Sequence, residues 1–207
     1  MYNKIAPYQA SIDNVHQKGL WHQTFACWLI NKEKNIIYIQ LRGSKNRIGP
    51  NTFDASASGH LMSGETPEDG FRELTEELGK NIILSDKQFL GVFRNIYTSH
   101  NYKNYEFCNV FMANTQSVLT DFNLQIGEVY GIFELNINDA ILLFFDKKQY
   151  VDIDGKIFEN NKYTKDTRKI SQKDFNLYKE RVFISGYYLK IMIMAQRYVN
   201  NIFPIRI

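Results

Sequence analysis

Residues 59–79 read GHLMSGETPEDGFRELTEELG, a segment that carries clear signals for the beginning and the end of a helix. Thr66 is a suitable N-cap, Pro67 occupies the first helical position, and Asp69 follows the cap by three residues, as in a capping box. Gly79 is typical of the position that ends a helix. The segment therefore predicts a loop followed by a helix that ends near residue 79.

The predicted helix has an apolar side and an acidic side. The apolar side repeats at helical spacing and can pack on a sheet: Phe71, Leu74 and Leu78. Three carboxylates share another side, because residues three and four positions apart lie together on a helix: Glu73, Glu76 and Glu77. Residues 65–80 contain six acids and two bases, a local net charge of −4 in a chain whose total is +3.

This carboxylate cluster is electrostatically unfavourable without a cation. Mg²⁺ and Mn²⁺ prefer oxygen ligands and are commonly used to neutralise diphosphate oxygens. The cluster therefore suits a divalent-metal site that acts on a diphosphate. A solvated helix face, on which Arg72 pairs with a neighbouring acid, is the alternative interpretation.

The order of residues in this stretch resembles the Nudix box. That pattern is glycine, five residues, glutamate, seven residues, Arg-Glu, an aliphatic residue, any residue, Glu-Glu, any residue, glycine and an aliphatic residue. In Nudix enzymes the box binds divalent cations and helps a water molecule cleave a diphosphate linked to another group. The resemblance implies that Glu73, Glu76 and Glu77 are metal ligands for Mg²⁺ or Mn²⁺, and that Arg72 orients a glutamate by ion pairing. The implied fold is α+β: an α/β/α sandwich with a mixed sheet and a C-terminal helical extension.

Two positions depart from the family pattern. Only six residues separate Glu65 from Arg72, one fewer than the pattern, and Lys80 stands where an aliphatic residue is usual. One residue of α-helix corresponds to a rotation of about 100°. A deletion inside the helix would turn Glu65 away from the cluster, whereas a deletion absorbed in the loop would leave it in place. Glu65 is therefore a conditional member of the predicted site.

The sequence around the box, over roughly residues 20–145, is similar to the Nudix branch that contains isopentenyl diphosphate isomerase. The similar segments include WHQTF at 21–25, QLR at 40–42 and EFCNVF at 106–111. The resemblance implies a second catalytic glutamate at Glu106. It also suggests histidine metal ligands: His16, His22 and His60. However, Ser58 replaces the cysteine that the isomerases use, Asn104 replaces an acidic ligand, and the full box is kept, so hydrolysis is favoured over isomerisation.

Further side chains are candidates for the site, each with an ordinary structural alternative. Glu128 is similar to a strand-start glutamate that supplies a metal ligand or base in many Nudix hydrolases, but it also suits an exposed strand end. Arg42 and Arg47 could hold substrate phosphates, or they could keep a loop soluble. His60, next to the box glycine, is expected to line the substrate site. His22 is either part of the site or a strand residue whose ring nitrogens bind the backbone.

Aromatic and β-branched runs predict a sheet around the helix. We expect a hairpin from 21–30 and 35–41, strands over 89–97, 105–113 and 128–135, and a short helix or buried turn over 136–145. Asp154–Gly155 predicts a hairpin turn, 162–173 a polar connector, and Ser171 with Asp174 the cap of a long helix that stops at Pro204. One side of that helix carries mostly apolar residues: Phe175, Tyr178, Val182, Leu189, Ile193 and Gln196. These patterns predict a catalytic domain over 1–146 and an extension over 147–207 packed on it.

Composition limits the class of protein. The chain has 207 residues, of which 44% are hydrophobic, enough for the core of one ordinary domain. Its 25 basic and 22 acidic residues nearly balance, which does not predict nucleic-acid binding. The positive balance outside the box suits an anionic substrate, and the resemblance implies that this is a small-molecule diphosphate. No apolar run approaches the roughly 20 residues of a membrane span, and no signal peptide is recognisable, so a cytoplasmic location is expected. Cys27 and Cys108 are expected to be buried free thiols, and a homodimer is left open.

Overall fold

The computed structural model describes residues 9–46, 48–79, 82–100, 102–175 and 185–207. Within these ranges the strands are β1 (Trp21–Asn31), β2 (Ile36–Arg42), β3 (Phe53–Asp54), β4 (Ala57–His60), β5 (Leu84–Thr98), β6 (Lys103–Thr115), β7 (Val129–Asn136), β8 (Val151–Glu159) and β9 (Lys162–Ile170). The helices are α1 (Ile12–Lys18), α2 (Arg72–Leu78), α3 (Ile137–Phe144) and α4 (Ser185–Val199). Short 3₁₀ turns cover Pro67–Phe71, Leu119–Asp121 and Gln172–Phe175.

The strands form one mixed sheet in the order β5-β6-β1-β2-β7-β8-β9. The β1–β6 pair is parallel, whereas the other neighbouring pairs are antiparallel. β1 and β2 pair only where Ile30 and Asn31 meet Ile37 and Ile36, and they then diverge. β4 pairs with β1 and β3 pairs with β2 inside the opening, which we call the fork. The mixed-sheet α+β fold predicted from the sequence is confirmed.

The two faces of the sheet are covered by different helices. Residues of α3 and α4 join Ala26, Trp28 and Ile30 of β1 in one core. Leu74 and Leu78 of α2 join a second core that contains the alternate residues of β1. Because successive side chains of a strand point to opposite faces, β1 is buried on both sides and reads as a continuous apolar run. Nowhere in the described ranges is a helix long and apolar enough to cross a membrane.

Ser56 joins the two diverging strands of the fork. Its hydroxyl accepts a hydrogen bond from the Leu29 amide of β1 at 2.8 Å and donates to the Tyr38 carbonyl of β2 at 2.5 Å. The side chain is fully buried. It therefore replaces the ladder bonds that β1 and β2 lose where they separate.

We expect Ser56→Ala to lower the free energy of unfolding by about 2 kcal/mol or more, because it leaves a buried N–H and a buried C=O without a partner. Urea denaturation of the variant and the parent protein measures this difference. Ser63→Ala is the matched control, since Ser63 is exposed, and its effect should stay within about 0.5 kcal/mol. Equal stabilities of the two variants would contradict the bridging role of Ser56.

The C-terminal part differs from the sequence prediction. β8 continues through Asp154–Gly155, so the predicted turn there is wrong; the turn lies at Asn160 and Asn161, whose φ angles are 52° and 59°. Two consecutive positive φ angles are typical of a type I′ hairpin. Residues 162–170, predicted as a polar connector, form strand β9, which is mostly exposed and alternates along its length. The glycine at 155 is explained by packing, because a Cβ there would lie 2.4 Å from the Phe133 ring.

The helix predictions need three corrections. The capping box of Ser171 and Asp174 is present, with the Ser171 amide 2.7 Å from Oδ2 of Asp174, and the described residues that follow it, Gln172–Phe175, form a 3₁₀ turn. α4 starts at Ser185 and ends at Val199, before Pro204, while Tyr178 and Val182 lie outside the described residues.

The polar N-terminal lead contains α1, which the sequence reading missed although Ser11 caps it. In the box segment, a 3₁₀ turn precedes α2 where one helix was predicted.

Candidate active site

The box segment forms the loop and helix that its sequence predicts. The Thr66 amide donates to Asp69 Oδ2 at 2.7 Å, which completes the capping box. The segment between Glu65 and Arg72, which is one residue shorter than the pattern, contains the 3₁₀ turn Pro67–Phe71. The box carboxylates Glu73, Glu76 and Glu77 all follow this turn, in α2. A 3₁₀ turn rises about 2.0 Å per residue, whereas an α-helix rises about 1.5 Å. The turn therefore spans the path from Glu65 to Arg72 with fewer residues than an α-helix would need. The missing residue therefore does not alter the spacing of these carboxylates.

Arg72 is the centre of the hydrogen bonds in this segment. Its Nε donates to Glu65 Oε1 at 2.8 Å, and Nη1 donates to Glu73 Oε1 at 2.8 Å and Glu76 Oε2 at 3.0 Å. Nη2 donates to the His60 carbonyl at 2.8 Å. Hydrogen bonding to Arg72 lowers the pKa of Glu65, and the bond to Glu65 raises the pKa of Arg72. Glu65 therefore lies beside the cluster despite the shortened box.

Glu73 and Glu77 are the most enclosed carboxylates of the cluster. Glu77 is buried, and its Oε2 accepts from the Ser58 amide at 3.1 Å and from Gln40 Nε2 at 3.4 Å. Burial raises the pKa of Glu77 well above its usual value, the Ser58 amide opposes that rise, and Glu73 adds to it. Burial also raises the pKa of Glu73, against the effect of Arg72. Two close carboxylates whose pKa values are raised in this way would be stabilised in their charged form by a cation.

The remaining predicted ligands occupy different positions. Glu128 precedes β7 in an exposed turn, its side chain lines the same cavity as Glu73 and Glu77, and its charge contributes to the raised pKa of both. The side chain of Glu76 is 53% exposed and pairs with Arg72 instead of lining the cavity. The structure thus brings three of the four predicted carboxylate ligands to one cavity, with Glu76 at its margin.

The cavity has a volume of about 560 Å³ and lies at the fork. Arg42 and His60, both predicted to bind substrate, line it, whereas Arg47 lies outside the described residues. The Arg42 guanidinium already donates to the Ile48 carbonyl at 3.1 Å and Asn46 Oδ1 at 2.9 Å, and it pairs with Asp54 at 3.5 Å. These bonds fix Arg42 in the cavity wall, which a merely solubilising loop residue would not require.

Three histidines converge beside the cavity. Ligating atoms of His16, His22 and His60 all lie within 4.8 Å of one another. Nδ1 of His22 contacts the Leu20 carbonyl at 3.0 Å, while its buried Nε2 makes no hydrogen bond to any described residue and lies 3.9 Å from Glu106 Oε1. The contact of Nδ1 is the one expected of a strand residue that binds backbone, and the ring also belongs to the histidine cluster, so a part of His22 in the site stays a prediction. Desolvation, followed by the charges of His22, His16 and Arg42, lowers the pKa of His60 to about 3, although the residue as a whole is exposed.

The cysteines have no activated thiol. Cys27 is buried, and Cys108 is less fully buried than predicted and lines the cavity. Burial raises the pKa of both thiols far above the ordinary value, so both are protonated near neutral pH. Position 58, which also lines the cavity, is a serine, and its backbone amide donates to Glu77. The geometry therefore offers carboxylates, and not a thiolate, as the reactive groups.

Sequence reasoning missed part of the cavity wall. The missed residues lie on β3, β5, the 3₁₀ turn before α4, and α4 itself: Asp54, Phe93, Asn95, Phe175, Tyr187 and Tyr188. Asp54 ends the two-residue strand β3, and no spacing relates it to the box. The aromatic residues of 175–188 could not be assigned, since nothing in the sequence connects them with residues more than a hundred positions earlier.

Comparisons with known proteins identify relatives that match part of the chain. An uncharacterised Nudix hydrolase of Clostridium acetobutylicum is 35% identical over 147 residues, which cover 70% of this chain and 69% of that protein. Nudix hydrolase 3 of Arabidopsis thaliana is 28% identical over 123 residues, covering 57% of this chain but 16% of the plant protein. The Nudix domain of Shewanella oneidensis NrtR, solved with ADP-ribose, is 13% identical with a TM-score of 0.47, covering 58% of this chain and 76% of that one. No protein-family model matches the chain.

Proposed function

Because the chain belongs to the Nudix hydrolases, we propose that it cleaves a diphosphate linkage in a nucleoside diphosphate derivative or a related organic diphosphate, with Mg²⁺ or Mn²⁺ as cofactor. The observation that carries the proposal is the convergence of Glu73, Glu77 and Glu128 on one cavity. The adjoining Arg72 is bonded to Glu65 and Glu73. A cavity with these groups can hold a charged diphosphate together with the cations that neutralise it.

The donor set fits a hard divalent cation, because it consists of carboxylate oxygens. Burial raises the pKa of two of these carboxylates, Glu73 and Glu77, so a cation would stabilise their charged form. Glu73, Glu77 and Glu128 would hold the metal, with Glu76 at the margin. When bound, Mg²⁺ or Mn²⁺ supplies neutralisation of the diphosphate oxygens and a lower pKa for a coordinated water. These expectations match the general use of divalent metals by Nudix hydrolases.

The chain's own residues then have distinct roles. Arg72 fixes the orientation of Glu73 and Glu65, so that the carboxylates meet the substrate without reorganising. One carboxylate of the cluster accepts the proton of the attacking water, while the bond between the attacked phosphorus and its bridging oxygen breaks. Arg42, which lines the cavity, would bind the departing or remaining phosphate.

Removal of metal is the first test. Phosphate or nucleotide release from a panel of nucleotide sugars, dinucleoside polyphosphates, dNTPs, and thiamine and isoprenoid diphosphates should require Mg²⁺ or Mn²⁺. Release should stop in excess EDTA and return when either ion is restored. If a panel compound bound equally well with and without metal, and no phosphate or nucleotide was released, the result would instead support a non-catalytic nucleotide-binding module.

The position of Glu76 is tested separately. We expect Glu76→Gln to lower the rate of release, because the variant removes a negative charge that neighbours Arg72 and the cluster. The effect should be smaller than for the enclosed carboxylates, since the side chain is 53% exposed. Release at the wild-type rate from every active substrate would exclude Glu76 from the ligand set.

An isopentenyl diphosphate isomerase-like activity is the alternative, and the three-histidine cluster next to Glu106 favours it. Imidazole and carboxylate together suit a transition metal. Ser58 and Asn104 argue against isomerisation, because neither can replace the cysteine or the acidic ligand that the resemblance would require. Incubation with isopentenyl diphosphate decides the matter: formation of the allylic isomer would establish the alternative, and hydrolysis alone would reject it.

A further inference from the structure

We propose that the C-terminal extension, residues 147–207, builds the part of the cavity that recognises the non-phosphate group of the substrate, and that this group is a planar heterocycle with N–H donors. Tyr187 is the residue that stacks on it. The inference rests on the diphosphate hydrolysis proposed above and narrows its substrate class. It assigns a role to an extension that lies outside the box and outside the segments with isomerase resemblance.

The cavity is assembled from two distant parts of the chain. Glu73 and Glu77 enter it from α2, which packs on one face of the sheet. Phe175, Tyr187 and Tyr188 enter it from the extension, whose helix α4 packs on the other face. The carboxylates suit a metal-bound diphosphate, so the aromatic part remains for the group attached to that diphosphate.

Tyr188 anchors the aromatic part. It is buried, its ring stacks on Phe144 with centroids 5.5 Å apart and an interplanar angle of 15°, and its ring also contacts Phe175 at 5.2 Å. Its hydroxyl donates to Asp54 Oδ1 at 3.5 Å. Tyr188 is therefore a positioning residue, which ties α4 to β3 at the fork.

Tyr187 lines the cavity and is the less buried of the two adjacent tyrosines. It is half-buried, its ring centroid lies 4.4 Å from that of Phe93, and its hydroxyl accepts a hydrogen bond from Trp28 Nε1 at 3.4 Å. These contacts hold the side chain before any ligand arrives, so little rotamer freedom is lost on binding. A preordered aromatic ring in a cavity is suited to stacking on a flat group.

Hydrogen-bond acceptors distinguish a heterocycle from a hydrocarbon group. Asp54 and Glu106 line the same cavity with side-chain exposures of 13% and 16%. Asp54 pairs with Arg42, and Glu106 accepts from Asn95 Nδ2 at 2.8 Å, but a carboxylate offers about four acceptor sites. An isoprenoid chain would give the remaining acceptor sites of both carboxylates no hydrogen bond, which is costly in an enclosed site. A heterocycle with amino or ring N–H groups can donate to them.

Binding of nucleoside monophosphates tests the inference without turnover, because they contain no diphosphate linkage. Calorimetry with AMP, GMP and CMP, each of which carries an amino group, is compared with geranyl monophosphate in the presence of Mg²⁺. We expect at least one nucleotide to bind more tightly than the geranyl compound. Tyr187→Leu should weaken that nucleotide about tenfold or more, the range for loss of one base–aromatic stack. Tyr187→Phe, which keeps the ring, should restore binding.

Two further variants complete the design. Tyr150→Leu is the matched control, since Tyr150 is an exposed tyrosine of the same extension outside the cavity, and it should bind like the parent protein. Asp54→Asn keeps the shape of the side chain but loses acceptor capacity, so it should weaken the nucleotide and not the geranyl compound. It also tests the inference if Tyr187→Leu does not fold.

Tighter binding of geranyl monophosphate, absence of binding by all three nucleotides, or equal nucleotide affinities for the parent, Tyr187→Leu and Asp54→Asn would overturn the inference. Nucleotide binding that depends on Tyr187 in a protein that hydrolyses no diphosphate would uphold the inference and reject the proposed hydrolysis. Diphosphate hydrolysis by a protein whose nucleotide binding does not depend on Tyr187 would uphold the proposed hydrolysis and reject the inference.

Discussion

Glu77→Gln should reduce kcat for diphosphate hydrolysis by about 100-fold to 10,000-fold, the range for loss of a group that accepts a proton or neutralises charge in the transition state. Glutamine has the shape of glutamate, so the hydrogen bond from the Ser58 amide can be kept. What is lost is the negative charge at the most enclosed carboxylate of the cluster. Steady-state release of phosphate or nucleotide in saturating Mg²⁺ measures the effect.

The same substitution should act in the opposite direction on the metal-free protein. Burial raises the pKa of Glu77, which means that the charged carboxylate opposes folding when no cation is present. Thermal denaturation in EDTA should therefore find the variant at least as stable as the parent. Adding Mg²⁺ should raise the Tm of the parent more than that of the variant, because a ligand that binds only the folded state stabilises it.

Glu68→Gln provides the matched comparison, since Glu68 lies on the same segment but is exposed and outside the cavity. It removes one negative charge from the box without altering the enclosed carboxylates. Its kcat and its response to Mg²⁺ should be those of the parent. If Glu77→Gln hydrolysed substrate as fast as Glu68→Gln, Glu77 would have no role in the reaction.

Gly59→Ala should lower kcat about 100-fold while leaving the fold largely intact. A Cβ at position 59 would lie 2.1 Å from Oε1 of Glu73, so the carboxylate must move away from its present place. The obstructing atoms belong to the end of a flexible side chain, and the backbone does not have to shift. A misplacement of about 1 Å in a catalytic group costs on the order of 100-fold in rate.

A double-mutant cycle shows whether Gly59→Ala acts through Glu73. In a Glu73→Ala background the obstructed carboxylate is absent, so adding Gly59→Ala should produce no further loss of kcat. The parent, the two single variants and the double variant are compared in kcat and in Tm. Additive losses in kcat would mean that position 59 acts by another route, such as a displaced β4.

Helical spacing brings two of the three predicted box carboxylates, Glu73 and Glu77, to the cavity, whereas Glu76 lies at its margin. Leu74 and Leu78 are buried and Glu73 enters the cavity, as their positions on one helix predict. The place of Glu65 could not be settled that way, since it depends on whether the shortened segment is helix or loop. The 3₁₀ turn that precedes Arg72 decides it, and its presence is a matter of local packing that spacing does not encode.

The extension was harder to predict because its signals are ambiguous. Asp154–Gly155 is a common turn pair, yet the glycine is present because Phe133 of β7 approaches it, a contact between residues that the sequence does not connect. Asn160 and Asn161, which make the actual turn, are a weaker signal than Asp-Gly. Tyr187 reaches the cavity only because α4 returns to the sheet beside Phe93, so its role requires tertiary structure.

The parallel pairing of β1 with β6 has a consequence for how the chain reaches its native state. Trp21 pairs with Tyr105, more than eighty positions later. The long chain segment between β1 and β6 must therefore close into a loop before this central strand pair can form. Such non-local pairing slows folding. The residues between these strands include all of the box, so we expect its carboxylates to converge late, when the loop has closed. A chain cut between α2 and β6 would leave β1 without its parallel neighbour.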